Sequence, residues 1–468
     1  MFKPRSVAVI GASGVPFKWG NDIIRTMQED GYGGTIYPIN PREKTILGLP
    51  VYRSVVEVPD PIDLAVITVR AEQVPQALRE CTQKGIKGAV LISAGFAETG
   101  SQGQALQEEV SRLSRQGGIR FVGPNCMGIF SAAANLNLSL PTGVPKGSVG
   151  FISQSGTFGG IFARAAAVRG CGLSCFISAG NQADLEVADY LEYLAEDPET
   201  KVVAMYIEGL KDGKRLFEVG RKIAGKKPVL IYKAGKNQSV SRVTMSHTAS
   251  IAGEDRIFDA MCRQAGFIRV EELFSLLDGA AILTRLPLPG GKRIGILGTG
   301  GLCVVLADTC VSMGMEVPEL KEEHMKFIIS DLAFPPHAPA PRNPVDFAGS
   351  NRTALQETGV LNKLARLDYI DGLICNTPLT WADSSQSSDA EQERLQDQAA
   401  ELLTAIPQKI GKPVVTVGLN DIAFTSKHME QAMENAGITS YNSPEAAARA
   451  MATLVKYAEI KKRFLKLS

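Results

Sequence analysis

Three times along the chain an unbroken apolar run ends in small residues and glycine, then passes into a helical pattern. The stretches are "RSVAVIGASG" (5–14), "GSVGFISQSG" (147–156) and "KRIGILGTGG" (292–301). A strand that does not alternate apolar with polar is buried on both faces, which is how parallel strands read. Glycine at its end lets the backbone turn tightly into a helix. Each stretch is therefore expected to be the first strand of a doubly wound α/β unit.

More strands follow each one: "GTIYPIN", "DLAVITV", "GAVLIS" and "IRFVG" in the first section, "LSCFISAG", "VVAMYIEG" and "KPVLIYKAG" in the second, "GLICNTP" and "KPVVTVG" in the third. Helical segments such as "AEQVPQALRECTQKG" alternate with them, which argues for parallel sheets. The second and third sections echo one another, as in "AGKKPVLIYKAG" and "IGKPVVTVG", so a duplicated unit is expected. Pro- and Gly-rich "LPTGVPKG" and "LPLPGG" mark the joints. Three domains are expected, over 1–130, 146–286 and 291–468. "AFPPHAPAPRNP" reads as a surface loop with a solvated His337, and "WADSSQSSDAEQERLQ" as a mobile loop leading into a helix.

Composition narrows the function. The 468 residues carry a net charge of +1, without the basic stripe that nucleic acid requires. No apolar run approaches the ~18 residues of a membrane helix. The N-terminus enters a strand almost at once, without a secretory pattern. Eight scattered cysteines with no CxxC pair suggest reduced thiols in the cytoplasm. "CGLSC" (Cys171, Cys175) has no second Cys or His pair beside it, so no metal site is expected.

The first turn, "GASG", is not a full G-x-G-x-x-G, and the second strand runs into "YPINPREK" with no clear acid for a ribose diol. Asn40, Pro41, Arg42 and Lys44 there suit a phosphate better. A nucleotide cofactor bearing extra phosphate is favoured over NAD, with an unusual dinucleotide site as the alternative. In "SQSGTFGG", Ser155, Gly156 and Thr157 open a helix whose free N–H groups make an anion site; the plainer reading is an ordinary helix cap. Glu208 in "YIEG" ends an apolar strand, where open α/β sheets bind ligands. Its carboxylate can fix one nitrogen of His247 in "SHTASIAG" and leave the other nucleophilic. The plainer reading is a solvated Glu and a loop His in a satisfied pocket. Small neighbours around His247 admit a phosphate, so the imidazole is a candidate phosphoryl carrier.

Taken in order, "VIGAS", "INP", "ISAGFAE" (92–98), "GPNCMG" (123–128), "SQSGTF", "YIEG" and "SHTASIAG" resemble the α subunits of nucleoside-diphosphate-forming acyl-CoA synthetases, relatives of succinyl-CoA ligase, over nearly the whole chain. The resemblance implies a Rossmann-like CoA-binding domain followed by two flavodoxin-like domains, the last an additional CoA-ligase domain. It implies CoA contacts at Ser13, Gly14, Val15, Pro16, Arg42, Ser93 and Ala94. Asn125 would stand near the acyl and phosphate groups, Ser155, Gly156 and Thr157 would hold phosphate, Glu208 would orient, and His247 would be the phosphohistidine. Asp346 in "NPVDFAG" would cap or orient a helix. The family often has Gly after "SHT", where this chain has Ala249. No ATP-grasp section follows residue 290, so ADP or ATP with magnesium is expected on an ATP-grasp β subunit of a hetero-oligomer. The implied reaction joins acyl-CoA and phosphate to acyl phosphate and CoA. The alternatives are a CoA-binding regulatory or scaffold protein without turnover, against which the retention of both Glu208 and His247 argues, and an NAD-linked oxidoreductase, which "INPREK" disfavours.

Overall fold

The computed structural model describes residues 1–138, 140–235, 255–332, 341–347, 353–377, 389–418 and 427–466. The chain forms two compact units, Met1–Ala280 and Ala281–Ser468.

The first unit holds two sheets. In the first sheet, β1 (Ser6–Ile10), β2 (Thr35–Ile39), β3 (Leu64–Ile67), β4 (Gly88–Leu91) and β5 (Arg120–Val122) are all parallel, in the order β2-β1-β3-β4-β5. Val7 and Val9 of β1 and Val66 of β3 are fully buried. Each such side chain contributes roughly 1.5–3 kcal/mol by leaving water. Helix α1 (Trp19–Glu29) buries Ile23, Ile24 and Met27, while Arg25 stays at the surface between Asp22 and Glu29. The strand order reverses between β1 and β3, which opens a crevice at their C-terminal ends.

In the second sheet the strands are β6 (Ile129–Ser131), β7 (Leu136–Asn137), β8 (Lys146–Ser153), β9 (Leu173–Ser178), β10 (Val202–Ile207), β11 (Val229–Lys233) and β12 (Ile268–Val270). Their order is β12-β11-β10-β8-β9-β6-β7, parallel from β12 to β9, with β6 antiparallel to β9 and β7 antiparallel to β6. The segment between the first two expected domains is thus partly strand. It is also tied to α1 and the turn that follows: Asn137 Nδ2 donates to Asp30 Oδ2 at 2.7 Å, and Thr26 Oγ1 donates to Asn137 O at 3.0 Å. Apolar residues from both sheets and from α1, among them Val7, Ile23, Ile177 and Met205, join one hydrophobic core. Helix α2 (Gly156–Val168) leaves β8 at its C-terminal end.

The second unit carries a third sheet: β13 (Ile294–Gly298), β14 (Val345–Asp346), β15 (Gly372–Asn376), β16 (Val414–Val417) and β17 (Ser440–Tyr441). The order is β14-β13-β15-β16-β17, all parallel, and so repeats that of the first sheet and of the parallel part of the second. The α/β architecture expected from the three glycine turns is the one observed. Asp346 Oδ1 accepts a hydrogen bond from Gly300 N at 2.7 Å, just before helix α3 (Gly301–Ser312). The eight cysteines are free thiols, all buried. Among the described residues no cluster fits a metal ion, and no helix is long and apolar enough to cross a membrane.

Candidate active site

The first glycine turn leaves β1 at the crevice. Ser13 is buried, and its Oγ accepts from Val15 N at 3.1 Å, while Ser13 O accepts from Asn21 Nδ2 at 2.9 Å. Gly14, Val15 and Pro16 stand exposed beyond it. Asn40, at the end of β2, ties the turn to "PRE": its Nδ2 donates to Ala12 O at 2.8 Å and its Oδ1 accepts from Arg42 N at 2.8 Å. One expectation needs correction here. An acid does reach the turn, since Glu43 accepts from Gly14 N at 3.1 and 3.0 Å through its two oxygens. "INPREK" conceals it because Glu43 lies three residues past Asn40 and only the Asn40-held bend turns it back. The Arg42 side chain is exposed and does not line the cavity described next.

A cavity of about 580 Å³ opens where the C-terminal ends of the first two sheets meet. It gathers Ser93, Ala94, Asn125, Ser155, Gly156 and Thr157, six residues expected from three separate motifs. Ser93 is fixed by donating to Val69 O at 2.5 Å, and Ser93 O accepts from Asn125 N at 2.9 Å. Asn125 holds a left-handed backbone (φ 57°), and its Nδ2 donates to Asn181 Oδ1 at 3.3 Å. Asn181 in turn donates to Glu98 Oε2 at 2.5 Å and to Gln107 Oε1 at 3.0 Å. Burial by itself would raise the Glu98 carboxyl, but hydrogen bonds from Asn181 and from the Gly95 and Phe96 amides hold it below its ordinary value. Ser155 is the residue before α2, yet its hydroxyl makes no capping bond to that helix. The first N–H groups of α2 thus keep their capacity for an anion in the cavity. Gly156 allows "GPNCMG" to approach this helix start, because a Cβ there would lie 2.4 Å from Met127 Cγ.

Glu208 is buried at the end of β10 and is joined to the cavity through Gln154, which lines it. Gln154 Oε1 accepts from the Glu208 amide and, at 2.9 Å, from the Gly209 amide; its Nε2 donates to Gly209 O at 2.6 Å. Lys233, buried at the end of β11, donates to Glu208 O at 2.8 Å and Ala234 O at 2.6 Å. Burial lowers the Lys233 ammonium, partly offset by Asp255 and reinforced by Arg269. Burial, followed by the charge of Glu208, raises the Tyr206 phenol. The two strand ends beneath Glu208 are therefore cross-linked by side chains rather than by loop packing alone.

Replacing Gln154 with leucine would keep the volume and leave three backbone groups unpaired. Each orphaned buried group costs about 1–3 kcal/mol, so the variant is expected to lose roughly 3 kcal/mol or more. A chemical denaturation midpoint unchanged from wild type would show that these bonds do not hold the strand ends.

The structure thus brings six of the expected residues into one cavity and places Glu208 beside it through Gln154, with Ser13 to Pro16 at the neighbouring turn. His247, with Ala249 and all of "SHTASIAG", lies outside the described residues, as does His337. Sequence reasoning missed Gln154, Asn181, Glu98, Trp19 and Arg70. Gln154 and Glu98 stand inside motifs already singled out, "SQSG" and "ISAGFAE", but a polar side chain's partners are invisible until the strands are aligned.

Two family models match consecutive parts of the chain. Residues 5–132 match a family model described as a CoA binding domain. Residues 146–283 match one described as a succinyl-CoA ligase like flavodoxin domain. The chain is 39% identical, over 98% of its length and 97% of the relative's, to the α subunit of an ADP-forming acetate–CoA ligase II of Pyrococcus furiosus. It is 34% identical to an ADP-forming acetate–CoA ligase I of Archaeoglobus fulgidus, covering 98% of this chain and 64% of that longer one. Among solved structures it superposes on a dinucleotide forming acetyl-coenzyme A synthetase 1 of Ca. Korarchaeum cryptofilum, in complex with phosphate and ADP, with a TM-score of 0.87, 30% identity, and coverage of 100% and 98% of the two chains. On fold, family models and full-length identity together, this chain belongs to the α-subunit family of the ADP-forming acyl-CoA ligases.

Proposed function

We propose that the chain carries the acyl-CoA and phosphate half of an ADP-forming acid–CoA ligase. The observation that carries this reading is the single cavity linking the first glycine turn's crevice to the "SQSG" helix start, with Glu208 stitched to its wall through Gln154. CoA would lie with its nucleotide end at Ser13–Pro16 and Arg42, and its pantetheine arm along Ser93 and Ala94. An inorganic phosphate at the N–H groups of Ser155–Thr157 attacks the thioester carbonyl, and the carbon–sulfur bond breaks to release CoA. A ring nitrogen of His247 then attacks phosphorus, and the carboxylate leaves with the bonding electrons. Glu208 holds the other ring nitrogen and stabilises the imidazolium character that develops. The phosphorylated His247 passes its phosphoryl group to ADP, held with magnesium on a partner subunit of ATP-grasp type, and the sequence runs in reverse to make acyl-CoA. The domain divisions 1–130, 146–286 and 291–468 belong to the same reading, the last as an additional CoA-ligase domain.

Support for a partner comes from two facts. The match to an α subunit is full-length, and the longer Archaeoglobus relative extends beyond the part matched. The purified chain, given acyl-CoA, phosphate, ADP and magnesium, is therefore expected to form no ATP until a partner is added. Sustained ATP formation by the chain alone would overturn that division of labour. Calorimetric titration with CoA and with NAD tests the nucleotide assignment: binding of CoA and none of NAD is expected, and the opposite pattern would return the turn to a dinucleotide.

A further inference from the structure

We propose that Arg70 is the residue that grips the diphosphate of CoA; the inference rests on the CoA reading above and assigns a part of that site which no motif marked. Arg70 follows β3, in the position where Thr68, Val69 and Arg70 leave the sheet beside the first glycine turn. The approach is close: a Cβ on Gly11 would lie 2.7 Å from Thr68 Oγ1 and 3.1 Å from Val69 N. Thr68 Oγ1 donates to Gly11 O at 3.1 Å, and Ser93 Oγ donates to Val69 O at 2.5 Å. The backbone under Arg70 is thus pinned to the β1 turn on one side and to the β4 end on the other.

The side chain is exposed and lines the cavity. Among the described residues that line it, Arg70 is the one bearing a charge; the rest are apolar, amide, hydroxyl, thiol or glycine. Among the described residues no carboxylate pairs with it. A cation held on a rigid platform in an otherwise neutral cavity is set to receive an anion. Arginine's planar fork suits the oxygens of a phosphate in particular.

Position decides which anion. One end of the cavity is the α2 helix start, which takes the phosphoryl and acyl groups. Thr68 also lines it and is bonded to Gly11 of the first glycine turn, where the CoA reading puts the nucleotide end. Arg70 follows two residues after Thr68, and Ser93, where the same reading puts the pantetheine arm, is bonded to the neighbouring Val69. In CoA the group between adenosine and the pantetheine arm is the diphosphate.

The test is calorimetric titration of the full chain and its Arg70→Gln and Arg70→Lys variants with CoA, dephospho-CoA and pantetheine. Arg70 is at the surface, so neither variant disturbs the core. Arg70→Gln is expected to bind CoA and dephospho-CoA about 10- to 100-fold more weakly and pantetheine as wild type does. Arg70→Lys should recover part of the loss, keeping charge but not the fork. Unchanged CoA affinity in Arg70→Gln overturns the proposal. So does a loss seen with CoA but not dephospho-CoA, which places Arg70 on the 3′-phosphate, or an equal loss with pantetheine, which places it on the arm. Wild-type chain that binds no CoA at all would instead refute the function proposed above.

Discussion

Replacing His247 with alanine is expected to abolish phosphorylation of the chain by phosphate and a cognate acyl-CoA. An imidazole with an ordinary pKa of about 6.5 is mostly neutral near pH 7, and only the neutral ring offers a lone pair to phosphorus. Without the ring there is no acceptor, so the loss is complete rather than partial. Glu208→Gln should behave differently. The amide can still accept a hydrogen bond from the ring but carries no charge, and labelling is expected to slow about 10- to 100-fold. The readout is intact mass or radiolabel kept under alkaline conditions, because phosphohistidine is labile in acid. Label at wild-type level in His247→Ala would place the acceptor elsewhere and end the phosphohistidine mechanism. Wild-type rates in Glu208→Gln would reduce Glu208 to a strand-end carboxylate.

Gly180→Ala is expected to damage both stability and the cavity. Gly180 lines the cavity with a left-handed backbone (φ 55°), and a Cβ there would lie 2.2 Å from Pro124 O and 2.7 Å from Asn125 O. The obstacles are main-chain atoms, so no rotamer change relieves them; the "GPN" loop must move. Overpacking of this kind costs about 1–3 kcal/mol, and the positive φ adds strain for any residue with a Cβ. The movement would also separate Asn125 from Asn181 and from Ser93, whose backbone it meets. A lowered unfolding midpoint together with weakened CoA binding is the expected pair of results. A variant as stable as wild type would mean that the two loops do not press on each other as the structure has them.

Much of this protein was readable before folding was considered. The three glycine turns announced the parallel strands of three sheets because a buried strand must be apolar on both faces, and because its exit into a helix needs a residue free of Cβ. "SQSGTF" revealed residues of the cavity through local chemistry, and "GPNCMG" revealed Asn125 through the family resemblance. Other parts were not readable. Glu43 was overlooked because an acid's role depends on the bend that Asn40 imposes, and that bend brings it to Gly14, 29 residues back in the chain. Residues 131–137 were taken for part of a joint, yet with Ile129 and Phe130 they supply two strands to the second sheet and anchor α1, because edge pairing depends on which strand is already there.

The sequence by itself determined the architecture, the order of the strands' apolar runs and the identity of the groups suited to phosphate, since burial and turn chemistry are written within a few neighbouring residues. Only the tertiary structure decided which of those groups meet. Gln154 reaches Glu208 and Gly209 across two strands, 54 and 55 residues away, and Asn181 joins Glu98, Gln107 and Asn125 from three other segments. Arg70 became a candidate only when the switch in strand order set the end of β3 against the first glycine turn. Hydrogen bonds and charges act over a few ångströms of space, and nothing in the spacing of residues along a chain fixes that distance until the sheets are assembled.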